Sequence, residues 1–256
     1  MPPLSRLFEV YPRDVKATVP YGYRVNDVIY AGSLPGTRPA SGDAVGDAPA
    51  QMEEALKHVK TLMEKGGGTL DNVARCVGYV TTPEDRLAVY APWDELFPDS
   101  NDRPAFKVLT TELPPGHLAH IDVLGFVGKR RTRIDIPNVP ARDPSVKIGD
   151  WFFTSRCHGL NQIDGQLVDG GLEPQTNQTI NNLLTLVELA GGTPENITQV
   201  TMFGRDTAYM ETAKRIFEER FPDPATRPEL HQTVAFITAR FEISIEMMAN
   251  IQEPIA

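Results

Sequence analysis

The chain repeats itself. Gln51 opens a run, Gln-x-x-x-Ala-Leu, that closes on Gly67-Gly68-Thr69 and Asn72-Val73, and Gln175 opens a second, Gln-x-x-x-Thr-Ile, that closes on Gly191-Gly192-Thr193 and Asn196-Ile197. The second copy follows the first by 124 residues, and the same offset carries Phe97-Pro98-Asp99 onto Phe221-Pro222-Asp223 and Arg103-Pro104 onto Arg227-Pro228. A period this long is too large for a solenoid repeat, so the pattern reads as two copies of one small domain fused in tandem. Residues 1–130 form the first lobe and 131–256 the second, each near the usual domain size and large enough to bury a core.

Composition narrows the class. The net charge is −9 and the pI near 5.1, which argues against a nucleic-acid partner, since meeting phosphates takes a basic surface. Prolines are enriched, 22 of 256 residues against an average of about 5%, and they fall in connections such as Pro114-Pro115 and Pro137 to Pro144. Two cysteines, Cys76 and Cys157, make no disulfide framework. There is no charged-then-apolar leader and no run of about 18 apolar residues. A cytoplasmic protein with no membrane partner is the expectation.

Periodicity supplies the elements. In lobe 1 it predicts a strand at 28–31, a helix over 51–65 whose Met52, Ala55, Leu56, Val59, Leu62 and Met63 build one apolar stripe, a strand at 73–80, a second helix over 83–97, and strands at 106–111 and 120–127. Lobe 2 repeats the order: strand 151–154, a loop to Glu173, helix 176–190, strand 197–203, helix 207–221, and strands 233–237 and 241–249. Strands with helices on one side suggest an α+β lobe. Residues 129–144 join the lobes, and the cluster Lys129-Arg130-Arg131-Thr132-Arg133 reads as a solvated basic strand end, with an anion site as the alternative.

The ordered pieces Ala31-Gly32-Ser33-Leu34-Pro35, Gly67-Gly68-Thr69-Leu70-Asp71-Asn72-Val73, Arg103-Pro104-Ala105 and Leu113-Pro114 resemble the RidA family of reactive-intermediate (imine and enamine) deaminases. Lobe 2 matches again through Gly165-Gln166-Leu167-Val168, Gly191-Gly192-Thr193-Pro194-Glu195-Asn196-Ile197 and Arg227-Pro228. The resemblance implies two chorismate-mutase-like lobes, each a mixed sheet with two helices packed on one face. It also implies a homo-oligomer, trimeric or higher, with sites in clefts between lobes. The implied activity is cofactor-independent hydrolysis of a small anionic enamine or imine carboxylate to a 2-oxo or enol acid and ammonia. A 2-aminomuconate-like product of aromatic ring cleavage is the narrower expectation. No metal or cofactor is expected.

Departures from the family pattern leave two other classes open, a chorismatase-like lyase or hydrolase acting on a cyclic carboxylate, and a non-catalytic ligand-binding module. Where the family places its carboxylate-binding Arg, this chain has Phe106 and Leu230, or His231 with a one-residue shift. The second lobe's Ser155-Arg156-Cys157-His158 places Arg156 at the family's glycine.

Deamination of an enamine needs a carboxylate clamp, a positioned water and a proton shuttle. Arg156 is the candidate clamp, because a guanidinium pairs bidentately with a carboxylate. Glu246, with Ser244 on the same strand face, is the candidate acid–base group, and His158 and His120 are further proton carriers, His120 beside Asp122. His231, Tyr21 and Tyr23 are candidate substrate contacts. Cys157 is either a nucleophile favoured by its Arg neighbour or an inert buried thiol, and enamine hydrolysis needs no covalent step. Arg227 is a candidate contact, but its recurrence with Arg103 favours a structural role. Adjacent Cys157 and His158 crowd one ion and match no zinc spacing.

Overall fold

The computed structural model describes residues 8–10, 22–38, 41–238 and 240–252. The chain divides into two compact units, Met1–Arg131 and Thr132–Ala256. Unit 1 holds β1 (Phe8–Val10), β2 (Gly22–Val25), β3 (Val28–Pro35), α1 (Ala48–Lys65), β4 (Val73–Val80), α2 (Asp85–Ala88), α3 (Tyr90–Leu96), β5 (Ala105–Thr110) and β6 (Ala119–Phe126). Unit 2 follows with β7 (Arg131–Ile134), β8 (Ser145–Ile148), β9 (Trp151–Phe153), α4 (Leu172–Leu189), β10 (Ile197–Gly204), α5 (Thr207–Arg220), β11 (Glu229–Val234) and β12 (Ile243–Asn250).

The two sheets have one topology. Unit 1 runs β1-β2-β3-β6-β4-β5, and unit 2 runs β11-β10-β12-β9-β8-β7, the same order read from the other edge. Register repeats with it. Arg75 pairs with Ala105 across the parallel β4–β5 ladder, and Gln199 with Glu229 across β10–β11. The antiparallel ladder to the last strand slips at Val73/Arg75 in one unit and at Ile197/Gln199 in the other. The turn after each long helix is built alike, with the Asn72 and Asn196 side chains accepting from the backbone N–H groups of Thr69 and Thr193, both at 2.8 Å.

Helices cover one face of each sheet. In unit 1 the stripe Met52, Ala55, Leu56, Val59, Leu62 and Met63 packs against Ile29, Ala31, Ile121 and Val123; in unit 2 Ile180, Leu183, Leu186 and Val187 pack against Phe152, Ile245 and Met247. Alternation along the strands turns the intervening residues to the other face. That face carries Tyr79, His120 and Asp122 in unit 1 and Phe203, Ser244 and Glu246 in unit 2.

The long helices begin three and four residues earlier than apolar periodicity places them, because Pro49 and Pro174 sit in their first turns, where a missing N–H costs nothing. The single helix expected over 83–97 is broken at Val89 into α2 and α3. The strand expected at 233–237 instead occupies Glu229–Val234. It is an exposed strand at one end of its sheet, so no apolar alternation marks it. The basic cluster is not simply solvated: Arg131 is buried, donating to the Leu70 and Asp102 carbonyls and pairing with the Asp102 carboxylate at 2.9 Å. Among the described residues no helix is long and apolar enough to cross a membrane.

Each long helix is tied to the strand that carries the polar face through one glutamine. Gln51 is buried and accepts from the Leu118 and Ala119 N–H groups at 2.7 and 3.3 Å, while donating to the Gly116 carbonyl. Gln175 accepts from the Glu242 N–H at 2.9 Å. Gly36 and Gly159 permit this approach: a Cβ on Gly36 would lie 2.2 Å from the Gln51 carbonyl oxygen, and one on Gly159 2.8 Å from that of Gln175. Gly36→Ala is therefore expected to destabilise the protein by about 2–3 kcal/mol, read from urea unfolding midpoints. An unchanged midpoint would show that helix and loop are not locked together there.

Candidate active site

In unit 1 the polar face is a connected set of side chains at the end of β3. Ser33 Oγ lies 2.7 Å from Nδ1 of His120, and Nε2 of His120 lies 2.8 Å from Nδ1 of His117. Asp122, two residues along β6, accepts from the Ser33 backbone N–H at 2.5 Å and from the Tyr79 hydroxyl at 2.7 Å. The hydrogen bonds of His120 thus go to Ser33 and His117, while Asp122 bonds Ser33 and Tyr79. Ser33 holds φ = +57°, a left-handed conformation that is costly for a residue with a Cβ.

The electrostatics of this set follow from burial. His120 is pushed down to about 4, mainly by desolvation and then by His117, with Asp122 opposing, so at neutral pH its imidazole is uncharged. Tyr79 is pushed above its ordinary value, first by burial and then by its bond to Asp122, and remains a donor. Tyr30 is raised too, first by burial and then by the nearby charge of Asp122. Tyr23 pairs in register with Tyr30 across β2–β3, and both are exposed. Tyr21 lies outside the described residues.

Unit 2 sets other residues in the same frame. Arg156 Nε donates to Ser244 Oγ at 2.8 Å, its Nη2 reaches the Phe236 carbonyl at 3.4 Å, and its guanidinium carbon stands 4.8 Å from the centre of the Phe203 ring. Ser244 pairs in register with Phe203, and Glu246 with Thr201, which pairs on its other side with His231. Arg156, Ser244, Glu246 and His231 thus share the face turned away from the helices. Ser244 and Glu246 are buried, and His231 is exposed on β11.

Register corrects the expected place of Arg156. Cys157 bridges to Ile245 as Leu34 pairs with Ile121. Ser155 therefore stands where unit 1 has Gly32, and Arg156 stands where it has Ser33. The second lobe has one residue more between its first central strand and the repeat's Gln, from Cys157 to Gln175 against Leu34 to Gln51, and this accounts for the shift.

The remaining candidates are engaged elsewhere. His158 stacks on Phe241 at 3.7 Å with its Nδ1 3.4 Å from the Ile243 carbonyl. Burial pushes the Cys157 thiol up to about 12, so it carries no thiolate at neutral pH. Arg227 Nε donates to the Phe221 carbonyl at 2.7 Å, as Arg103 does to Phe97 at the same distance; both close the loop before the edge strand. Phe106 is buried and stacked on Trp93 at 3.9 Å, so the first lobe has a core ring where the family pattern has a guanidinium.

Sequence reasoning passed over Ser33, His117, Tyr79 and Tyr30 as site residues. The available signal was alternation: once 73–80 and 120–127 are antiparallel strands, Tyr79 and His120 share a face, as the register places them. Among the described residues no cluster of His, Cys, Asp and Glu is arranged to hold a metal.

The sequence model of the family described as Endoribonuclease L-PSP matches this chain twice, over residues 13–127 and 141–251. The chain belongs to that family. A RutC family protein of Aquifex aeolicus is 30% identical over 106 residues, 41% of this chain and 84% of its own length. Reactive Intermediate Deaminase A of Arabidopsis thaliana chloroplasts is 26% identical over 107 residues, 42% of this chain but only 57% of its own length. Among solved structures, a putative endoribonuclease L-PSP from Entamoeba histolytica is 20% identical with a TM-score of 0.43, covering 48% of this chain and all of that one. RidA from a Psychrobacter species is 21% identical with a TM-score of 0.39, covering 46% of this chain and 94% of its own. In this family member each repeat carries its own polar face, and the two faces differ in every hydrogen-bonding group but the strand carboxylate.

The depressed His120 sets an acid limb. The folded protein resists a proton that an unfolded-chain histidine takes up at about 6.5. Stability present above that value is therefore lost as pH falls from about 6.5 towards about 4. His120→Gln is expected to flatten this part of the Tm–pH curve. A parallel curve, offset by a constant, would show that His120 titrates normally.

Proposed function

We propose that the protein is a cofactor-independent hydrolytic deaminase of small enamine or imine carboxylates, with the polar face of the second lobe as its working site. The observation that carries this reading is Arg156, whose guanidinium is fixed by Ser244 and Phe203 on the same face as the buried carboxyl of Glu246. Hydrogen bonds to charged groups contribute about 1.5–3 kcal/mol, and a cation over an aromatic ring about 0.5–2 kcal/mol. Together they orient the guanidinium before substrate arrives, which lowers the ordering cost of binding.

The chemistry follows from the groups. The enamine takes a proton from solvent at carbon to become the protonated imine, and Arg156 holds its carboxylate. Water adds to the imine carbon as Glu246 takes a proton from it. The resulting carbinolamine expels ammonia as Glu246 returns the proton to nitrogen, and its hydroxyl gives a proton back to solvent, leaving a 2-oxo acid. His231 flanks the same row of the sheet as a second contact. A homo-oligomer is part of the proposal, since neighbouring lobes would close the faces from solvent. The Arabidopsis relative bears the name Reactive Intermediate Deaminase A. An RNA-cleaving role, which the family description names, gains no support from a net charge of −9. A dicarboxylate of the 2-aminomuconate kind is the narrower candidate and belongs beside a monocarboxylate in the assay, because two anionic ends call for two clamps.

Ammonia release from freshly generated imines and enamines tests the proposal. Glu246→Gln is expected to lower kcat by about 100-fold or more, and Arg156→Ala to raise KM at least tenfold while leaving kcat less affected. Near wild-type turnover in Glu246→Gln would remove the carboxyl from the reaction. Absence of ammonia from every substrate tried with the unmodified protein would overturn the reading as a whole.

A further inference from the structure

We propose that the first lobe carries a site of different chemistry: a serine nucleophile, Ser33, activated by His120 and seated by His117, that takes small esters or other activated acyl groups. The inference stands on unit 1 alone and is independent of deamination in unit 2.

A serine hydroxyl becomes a useful nucleophile when a neutral base within hydrogen-bond reach accepts its proton and a third group orients that base. All three relations are present. Ser33 Oγ–H donates to Nδ1 of His120 at 2.7 Å, and His120 Nε2–H donates to Nδ1 of His117 at 2.8 Å, the tautomer in which each ring gives one proton and accepts one. His120 is buried and Ser33 exposed, so the base is shielded while the hydroxyl meets solvent. Desolvation keeps the base uncharged at neutral pH.

The backbone adds a second, independent observation. Ser33 and not Gly32 adopts the left-handed conformation. Such strain in a residue with a side chain is kept where surrounding contacts over-determine it, and it gathers at functional positions. Here Asp122 holds the Ser33 N–H, and Asp122 is in turn held by Tyr79. Gly32 keeps the approach open: a Cβ there would come within 3.0 Å of the Tyr30 hydroxyl. That hydroxyl, whose acidity is suppressed by burial and by Asp122, would serve as a donor to the acyl oxygen.

The step balances. Ser33 Oγ bonds to the acyl carbon as its proton passes to Nδ1 of His120. The bond to the leaving alcohol breaks, and the alcohol departs with that proton. Water, deprotonated by the same nitrogen, then attacks the acyl-serine, and its proton returns to Ser33 as the acid leaves. The second lobe cannot do this, since Arg156, Ser244 and Phe241 stand at the corresponding places.

The test is covalent labelling of the full chain with phenylmethylsulfonyl fluoride, followed by peptide mapping and by hydrolysis of p-nitrophenyl acetate. The adduct is expected on Ser33, with a labelling rate whose pH midpoint lies below the ordinary histidine range. Labelling should fall at least tenfold in His120→Gln. Ser33→Gly, which relieves the backbone strain and so retains the fold, should lose both the adduct and the esterase activity. His117→Ala should slow labelling, and His117→Asn, whose side-chain oxygen accepts at the same place, should recover much of it. No adduct on the unmodified protein, an adduct elsewhere, or an undiminished rate in His120→Gln would overturn the proposal.

Discussion

One buried glutamine side chain in each lobe fixes where the site strand begins. Gln51 and Gln175 each occupy the fourth position of a long helix, and each accepts from the backbone just before the last strand of its sheet. A buried amide without its partners would cost about 1–3 kcal/mol, so helix and strand are joined at this point. The bond is possible only because Gly36 and Gly159 let the first strand's loop pass directly over the helix backbone. Helix, loop and strand therefore meet in one invariant geometry, and the ends of β3 and β6, or of β9 and β12, are set against each other before any polar residue is chosen.

On that frame the two copies have exchanged side chains while keeping the pairing. A residue near the end of β3, or just beyond β9, bonds a residue on the last strand: Ser33 to His120 in one lobe, Arg156 to Ser244 in the other. Around them Tyr79 becomes Phe203, Tyr30 becomes Phe153 and His117 becomes Phe241. Loss of three polar groups leaves apolar rings against which a guanidinium can stack, and Arg156 does stack on one. Gain of an arginine in the first lobe would instead have met a neutral histidine that already has two partners.

Much of the architecture was legible because duplication and apolar periodicity are long-range signals. Both copies of the helix, the central strands and the closing strand stand where the 124-residue offset puts them. The strands β1, β2, β7 and β8 were not legible. They are three or four residues long, too short for alternation to show. Of the candidate site, the common face of the strand residues Glu246, Ser244 and His120 was legible, because it follows from period two. It was illegible at the turn. A sequence reading Ala-Gly-Ser assigns the unusual backbone to glycine, whereas the fold places it on Ser33. Arg156 was likewise set one place early, since a single extra residue in the second lobe's loop leaves no trace until strands are paired.

The central functional claim is that Arg156 meets a substrate carboxylate, and its Nε–H resonance in a nitrogen-15 spectrum reports this directly. Titration with a small 2-oxo acid, the expected product, should shift that resonance saturably, while the amide of the same acid should leave it in place. A resonance unmoved by the acid, or moved equally by acid and amide, would contradict the account.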